Sequence, residues 1–143
     1  MSHTPRFSCL LVGGSNLLIR CAEVLATRGH RIAAIVTGDA EIAHGRIVHR
    51  SIADALHALG ERPDVIFSIV NGAILRTTDF CSARIGAVNY HDSPLPTYAG
   101  VNAPSWAILH GESTHGVTWH LLTDAVDAGD VLVQRRFPIE PDE

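Results

Sequence analysis

The chain has 143 residues, enough for one domain with one substantial core. Hydrophobic residues make up 46% and charged residues 18%, which excludes a disordered chain. A formal charge of −4 argues against nucleic acid as a partner, and no apolar run reaches the roughly 18 residues that a membrane span requires.

Ser8 to Val12 (SCLLV) reads as a first buried strand, and Gly13-Gly14-Ser15-Asn16 as a tight turn into a helix. Ser15 or Asn16 is expected to cap that helix, where Leu18, Cys21, Ala22 and Leu25 recur at helical spacing. Gly29 suits the position just past its end. Arg31 to Val36 is a second strand, and residues 40–50 allow a short helix and then a short strand through Ile47-Val48. Ser51 and Asp54 make a capping-box pattern for a helix ending at Leu59, with Ile52, Ala55 and Leu59 facing inward. Val65 to Val70 is a third strand, Asn71-Gly72 a turn, and Ile85 to Tyr90 a fourth strand.

Further on, Pro104 to Leu109 reads as a helix, and Gly116 to Leu122 and Val131 to Gln134 as two more strands. From Arg135 onward, Pro138 and Pro141 discourage regular structure. The alternation of short strands and helices predicts an α/β fold around a largely parallel sheet. One domain is expected over residues 1–143, ending short of the helix that usually completes such a sheet.

Cys9, Cys21 and Cys81 are odd in number, widely spaced and without a CxxC pair. This pattern fits a reducing compartment, and with no signal-peptide pattern at the N-terminus the expected location is the cytoplasm. Cys9 and Cys21 read as small buried hydrophobes, and Trp106 and Trp119 as core or pocket wall.

Ligands of open α/β folds gather beyond the carboxyl ends of the strands. Gly13–Asn16, Asn71-Gly72, Asn89–Gly100 and Thr123–Asp130 all fall there. A glycine turn feeding a helix can hold an anion, although GGSN lacks the GxGxxG of a dinucleotide site. Asn89 and His91, two apart on a strand, leave on the same side and place an amide and an imidazole in one volume. An amide can hold a carbonyl oxygen, and an imidazole can exchange a proton near neutral pH. Asp92 and Ser93 suit the turn through backbone hydrogen bonds. A carboxylate from Asp124, Asp127 or Asp130 would complete the set, and spacing does not choose among them. His120 reads equally as a partner of that carboxylate or as a core histidine. His110, His115 and His120 match neither HExxH nor zinc-finger spacing, so no metal site is assigned.

The segments NYHDSPLPTYAG, GVTWH and DAVDAGDVLVQ, in that order, resemble the catalytic domain of folate-dependent formyltransferases. That family includes methionyl-tRNA, glycinamide ribonucleotide and sugar-amine formyltransferases, and formylation domains that open some nonribosomal peptide synthetases. Its signature runs Asn-x-His-x-Ser-Leu-Leu-Pro, then Gly-x-Thr, then Asp-x-Gly; Pro94 stands where the first Leu is usual. The resemblance covers essentially the whole chain, and residues 86–134 carry its specific part.

It implies a Rossmann-like fold, with a mostly parallel twisted sheet flanked by helices. Carried over by position, Asn89, His91 and Asp127 are the catalytic residues, which singles out Asp127, and His120 is a supporting histidine. Gly72, Ala73, Ile74 and Leu75, with Leu121, Leu122, Thr123, Asp124, Ala125 and Val126, match the stretches lining the pterin pocket. Gly14, Ser15 and Asn16 match a substrate-binding turn. The implied co-substrate is 10-formyltetrahydrofolate, without a metal, and the implied acceptor is an amine. Asn71-Gly72 and Tyr98–Ala103 resemble the synthetase-associated members, so an aminoacyl group or other amine of specialised metabolism is expected, with a carrier protein or adenylation domain as partner. The alternatives are a formyltetrahydrofolate hydrolase and a non-catalytic folate-binding or docking module.

Overall fold

The apolar run at Ser8 folds as β1 (Ser8–Gly13), in which Cys9, Leu10 and Leu11 are wholly shielded from solvent. A computed structural model describes residues 5–142, which fall into two units divided between Ala87 and Val88. In the first unit, β2 (Arg31–Val36) and β3 (Val65–Ile69) both pair with β1 in parallel. A strand paired on both sides in a parallel sheet is covered on both faces, which is why β1 is apolar along its length rather than alternating.

Among the described residues, four helices complete this unit: α1 (Ser15–Thr27), α2 (Ala40–Ala43), α3 (Ile52–Leu59) and α4 (Thr77–Phe80). The sequence signals for α3 hold, since Ser51 Oγ accepts the Asp54 N–H at 3.0 Å and Ile52 and Ala55 are buried. The expected cap of α1 does not hold. Gly14 stands at the N-cap, and Ser15 Oγ instead accepts the N–H of Leu17 at 3.2 Å from inside the first turn. The cause is the approach of the neighbouring strand, because a Cβ on Gly13 would overlap the carbonyl of Ile69. Of the apolar stripe predicted on α1, Leu18 alone is fully buried.

The strand expected at Ile47-Val48 is only a bridge between Val36 and His49, and Ile47 points to solvent. Helix α4 had no clear sequence signal. Cys9 is buried, Cys21 half-buried and Cys81 exposed. Burial pushes the Cys9 thiol up to about 12, with the charge of Arg31 opposing.

The second unit starts within β4 (Gly86–His91), which pairs antiparallel with β5 (Thr114–Leu121); β5 in turn pairs antiparallel with β6 (Val131–Pro138). Strand β6 therefore continues four residues past Gln134, against expectation. Pro138 is tolerated because it ends the strand, opposite Thr114 at the start of β5. The short helix α5 (Ala103–Leu109) buries Ala103 and Ala107, one turn apart, and so leaves Trp106 half exposed rather than in the core. Among the described residues no helix is long and apolar enough to cross a membrane.

Candidate active site

Strand pairing assembles the polar cluster of the second unit. In the β4–β5 register Asn89 lies opposite His120, and His91 opposite Thr118. Residues two apart on a strand share a face, so all four side chains leave the sheet on one side. The result is a hydrogen bond between Asn89 Nδ2 and His120 Nε2, at 3.3 Å. On the other nitrogen, His120 Nδ1 lies 2.9 Å from the carbonyl of Leu121. A carbonyl only accepts, so Nδ1 carries the hydrogen and Nε2 is left to accept from the Asn89 amide. The amide keeps its second N–H for another partner.

Asp127 comes from the loop between β5 and β6. Its Oδ1 stands 3.6 Å from His91 Nδ1 and 3.6 Å from His120 Nε2. Its Oδ2 accepts the Gly100 N–H at 2.9 Å. The loop folds back because Leu121 N–H donates to the Asp130 carbonyl, and because a Cβ on Gly129 would overlap the Leu121 carbonyl. Asp127 itself takes the left-handed conformation, φ 53°, which Asp tolerates better than most residues. The structure thus separates the three aspartates: Asp124 and Asp130 are exposed, while the Asp127 side chain is 10% exposed and faces two buried imidazoles.

Beneath this group lies a second polar layer. Thr118 Oγ1 donates to the Ser93 carbonyl at 2.7 Å and accepts from Leu95 N–H at 3.2 Å and Gln134 Nε2 at 3.0 Å. Gln134 Nε2 also reaches the Leu95 carbonyl at 2.8 Å. Ser93 Oγ donates to the Thr97 carbonyl at 2.7 Å, the turn role expected for it. Pro94 is buried, and its Cβ lies 3.0 Å from where a Cβ on Gly116 would stand, so the absent side chain of Gly116 makes room for it. The remaining histidines go separate ways: His110 Nδ1 meets the Tyr98 hydroxyl at 3.0 Å, and His115 Nε2 donates to the Asp92 carbonyl at 2.7 Å. No group of three potential metal ligands occurs among the described residues.

Asn89, His91, Asp127 and His120 are therefore brought together. Of the other stretches, Leu121 ends β5, Leu122 is half-buried and Thr123–Val126 is an exposed turn in which Thr123 Oγ1 donates to the Ala125 carbonyl. Gly14–Asn16 and Gly72–Leu75 belong to the first unit, after β1 and β3. There Gly14 N–H donates to the Ile69 carbonyl at 3.1 Å, and the Asn71 amide clamps both backbone groups of Ala73, leaving Ile74 exposed. Sequence reading missed the backbone contributors, Gly100 N–H and the Tyr98 carbonyl. Only the glycine in Asp-x-Gly left a trace of the loop's close approach.

A family model described as formyl transferase matches residues 22–143. The chain belongs to the formyl transferase family. Among related formyltransferases, methionyl-tRNA formyltransferase of Trichlorobacter lovleyi is 31% identical over 156 residues, covering 98% of this chain and 48% of that protein. The chain spans about half the length of such relatives. Among solved structures, glycinamide ribonucleotide transformylase 1 of Geobacillus kaustophilus is 26% identical, covers 99% of this chain and 86% of that one, and has a TM-score of 0.76. HypX of Aquifex aeolicus, solved with tetrahydrofolic acid, is 23% identical and covers 95% of this chain and 22% of that one, with a TM-score of 0.75. This member of the formyl transferase family has the Rossmann-like α/β fold expected from the sequence, with a mixed sheet.

Proposed function

We propose that residues 1–143 form a formyltransferase catalytic domain that moves a formyl group from 10-formyltetrahydrofolate to an amine. Family membership supports the reaction class, and the tetrahydrofolic acid bound by HypX supports a folate donor. The observation that carries the reading is the position of Asp127 Oδ1, 3.6 Å from both His91 Nδ1 and His120 Nε2, with the Asn89 amide bound to the same His120 nitrogen. One hydrogen-bond donor and one proton-accepting pair then serve a single carbonyl.

The folate supplies the formyl group as a co-substrate. The donor set fits such a group, because the second N–H of Asn89 is available to a formyl oxygen gaining negative charge as the amine attacks. His120 holds that amide in place. His91 Nδ1 and Asp127 Oδ1 face each other, so a proton leaving the amine is taken up between them and returned to the departing nitrogen. Their 3.6 Å separation is an ion-pair distance, longer than a hydrogen bond, of the kind that tightens when substrate is present. Bringing donor and acceptor together supplies further rate.

For the acceptor we take an aminoacyl group or other amine of specialised metabolism, presented free or on a carrier protein beside an adenylation domain. The support is the resemblance of Asn71-Gly72 and Tyr98–Ala103 to synthetase-associated members. The assay combines 10-formyltetrahydrofolate with a panel of free and carrier-bound amines, read by mass spectrometry. A formylated amine is expected. Free formate alone would assign a hydrolase, and folate binding without product from any amine would assign a binding module; either outcome ends the transferase reading.

A further inference from the structure

Tyr98 touches the one atom of the His91 ring on which the proton balance of the site depends. Its carbonyl lies 3.0 Å from His91 Nε2, while His91 Nδ1 faces Asp127. A carbonyl cannot donate, so Nε2 carries a hydrogen and gives it to Tyr98. A neutral imidazole has only one such hydrogen. With Nε2–H fixed, Nδ1 presents its lone pair toward Asp127 and can take up a proton there. Without the Tyr98 carbonyl, the carboxylate would be the stronger acceptor, and the neutral ring would carry its hydrogen on Nδ1. That tautomer has nothing to accept with on the Asp127 side.

The Tyr98 carbonyl is held from three directions. The preceding carbonyl, on Thr97, is fixed by Ser93 Oγ at 2.7 Å. Tyr98 itself takes φ 56°, a left-handed conformation that a non-glycine residue rarely adopts without support. The support is at the phenol. Its oxygen lies 2.9 Å from Glu112 Oε1 and 3.0 Å from His110 Nδ1. One hydroxyl hydrogen serves the carboxylate, so the phenol oxygen accepts from His110. Burial, and then the Glu112 carboxylate, push the phenol's pKa upward and keep it a donor.

We propose that Tyr98 is a positioning residue for His91: its phenol, clamped by Glu112 and His110, holds the main-chain carbonyl that keeps the His91 hydrogen on Nε2 and leaves Nδ1 free to accept. The proposal rests on the reading of His91 as the proton acceptor, but its primary test needs no substrate. The full chain, labelled with 15N at histidine, reports the protonation of each ring nitrogen by NMR, and His91→Gln identifies the His91 signals by their loss. The neutral His91 of the unsubstituted chain is expected as the Nε2–H tautomer.

Tyr98→Phe removes both phenol bonds and is expected to move His91 toward Nδ1–H. In a formyl-transfer assay it should lower kcat about tenfold, with KM for both substrates nearly unchanged, as for lost alignment rather than lost binding. Glu112→Ala, at an exposed position, gives the same shift in smaller measure and carries the test should Tyr98→Phe fail to fold. An Nδ1–H tautomer in the unsubstituted chain, or an unchanged His91 tautomer in the folded variants, overturns the proposal. If the tautomers behave as stated and no amine is formylated, the functional reading fails and the positioning role stands.

Discussion

The two units are stabilised by different means. Up to Ala87 the interior is mainly apolar: Leu10, Leu11, Leu18, Ile66 and Ile69 are completely buried, and the buried polar residues among those described are the small Ser8, Thr37 and Ser68. Among the described residues from Val88 onward, the buried apolar side chains are Val88, Pro94, Leu95, Ala103 and Ala107, two of them alanines, and the interior is completed by His91, Ser93, His115, Thr118 and His120. Buried polar groups need hydrogen-bond partners, and each of these five finds one in a main-chain carbonyl. An apolar core can be built from any well-packed set of side chains. A polar one holds donors and acceptors at fixed positions, which is what a reaction site requires and a scaffold does not.

Substitutions should separate the units accordingly. The largest effect is expected at the site itself. His91→Ala or Asp127→Asn should lower kcat for formyl transfer by about 10²–10⁴-fold, the usual range for losing a proton-transfer group. The thermal midpoint should move little in Asp127→Asn, because Asp127 sits in a loop, and more in His91→Ala, which removes a buried ring from β4. Retained turnover in both variants would remove the roles given to these residues. Next is Leu10→Ala in the first unit, expected to destabilise by about 2–5 kcal/mol in urea titration. If activity at low temperature, where the variant is folded, also collapsed, the division of labour between the units would be wrong.

Thr118→Val tests whether the second unit depends on its polar layer. It preserves shape but removes the hydroxyl that donates to the Ser93 carbonyl and accepts from Leu95 N–H and Gln134 Nε2, and it should cost about 1–3 kcal/mol. A neutral result would show that these bonds are incidental.

The smallest effect concerns Asp64, at the base of β3. The Ser8 main-chain N–H, then the Ser8 hydroxyl and the Arg84 guanidinium, hold its carboxyl below the ordinary value of 3.8. A depressed carboxyl stabilises the fold fully above that ordinary value, and the contribution is lost as pH falls through the lower folded value. Stability should therefore drop more steeply in the natural chain than in Asp64→Asn as pH falls below about 4. Equal slopes would mean that the Ser8–Asp64 contact adds nothing.

Much of the first unit was legible because its signals are local. Apolar runs bounded by turn residues marked β1, β2 and β3, and Ser51 with Asp54 marked the start of α3. Where a neighbouring strand intervened, local signals misled. The cap of α1 fell on Gly14 instead of Ser15 or Asn16, because Gly13 has to pass against the Ile69 carbonyl. Trp106 read as core or pocket wall, and it is not core, since a seven-residue helix buries one narrow stripe and its alanines occupy it.

In the second unit, the alternation of β4 already placed Asn89 and His91 on one face, and the signature order pointed to Asp127 by resemblance. Residue types and their periodicity determined this much alone, because side-chain direction along a strand is a local property of the backbone. The choice of Asp127 over Asp124 and Asp130 on physical grounds came only with the tertiary structure, since it depends on where Gly129 lets the loop return to Leu121. So did the pairing of Asn89 with His120, which the register of β4 on β5 sets. The Tyr98 carbonyl on His91 is the furthest from sequence: every residue has a carbonyl, and only the folded loop decides which one points at the ring.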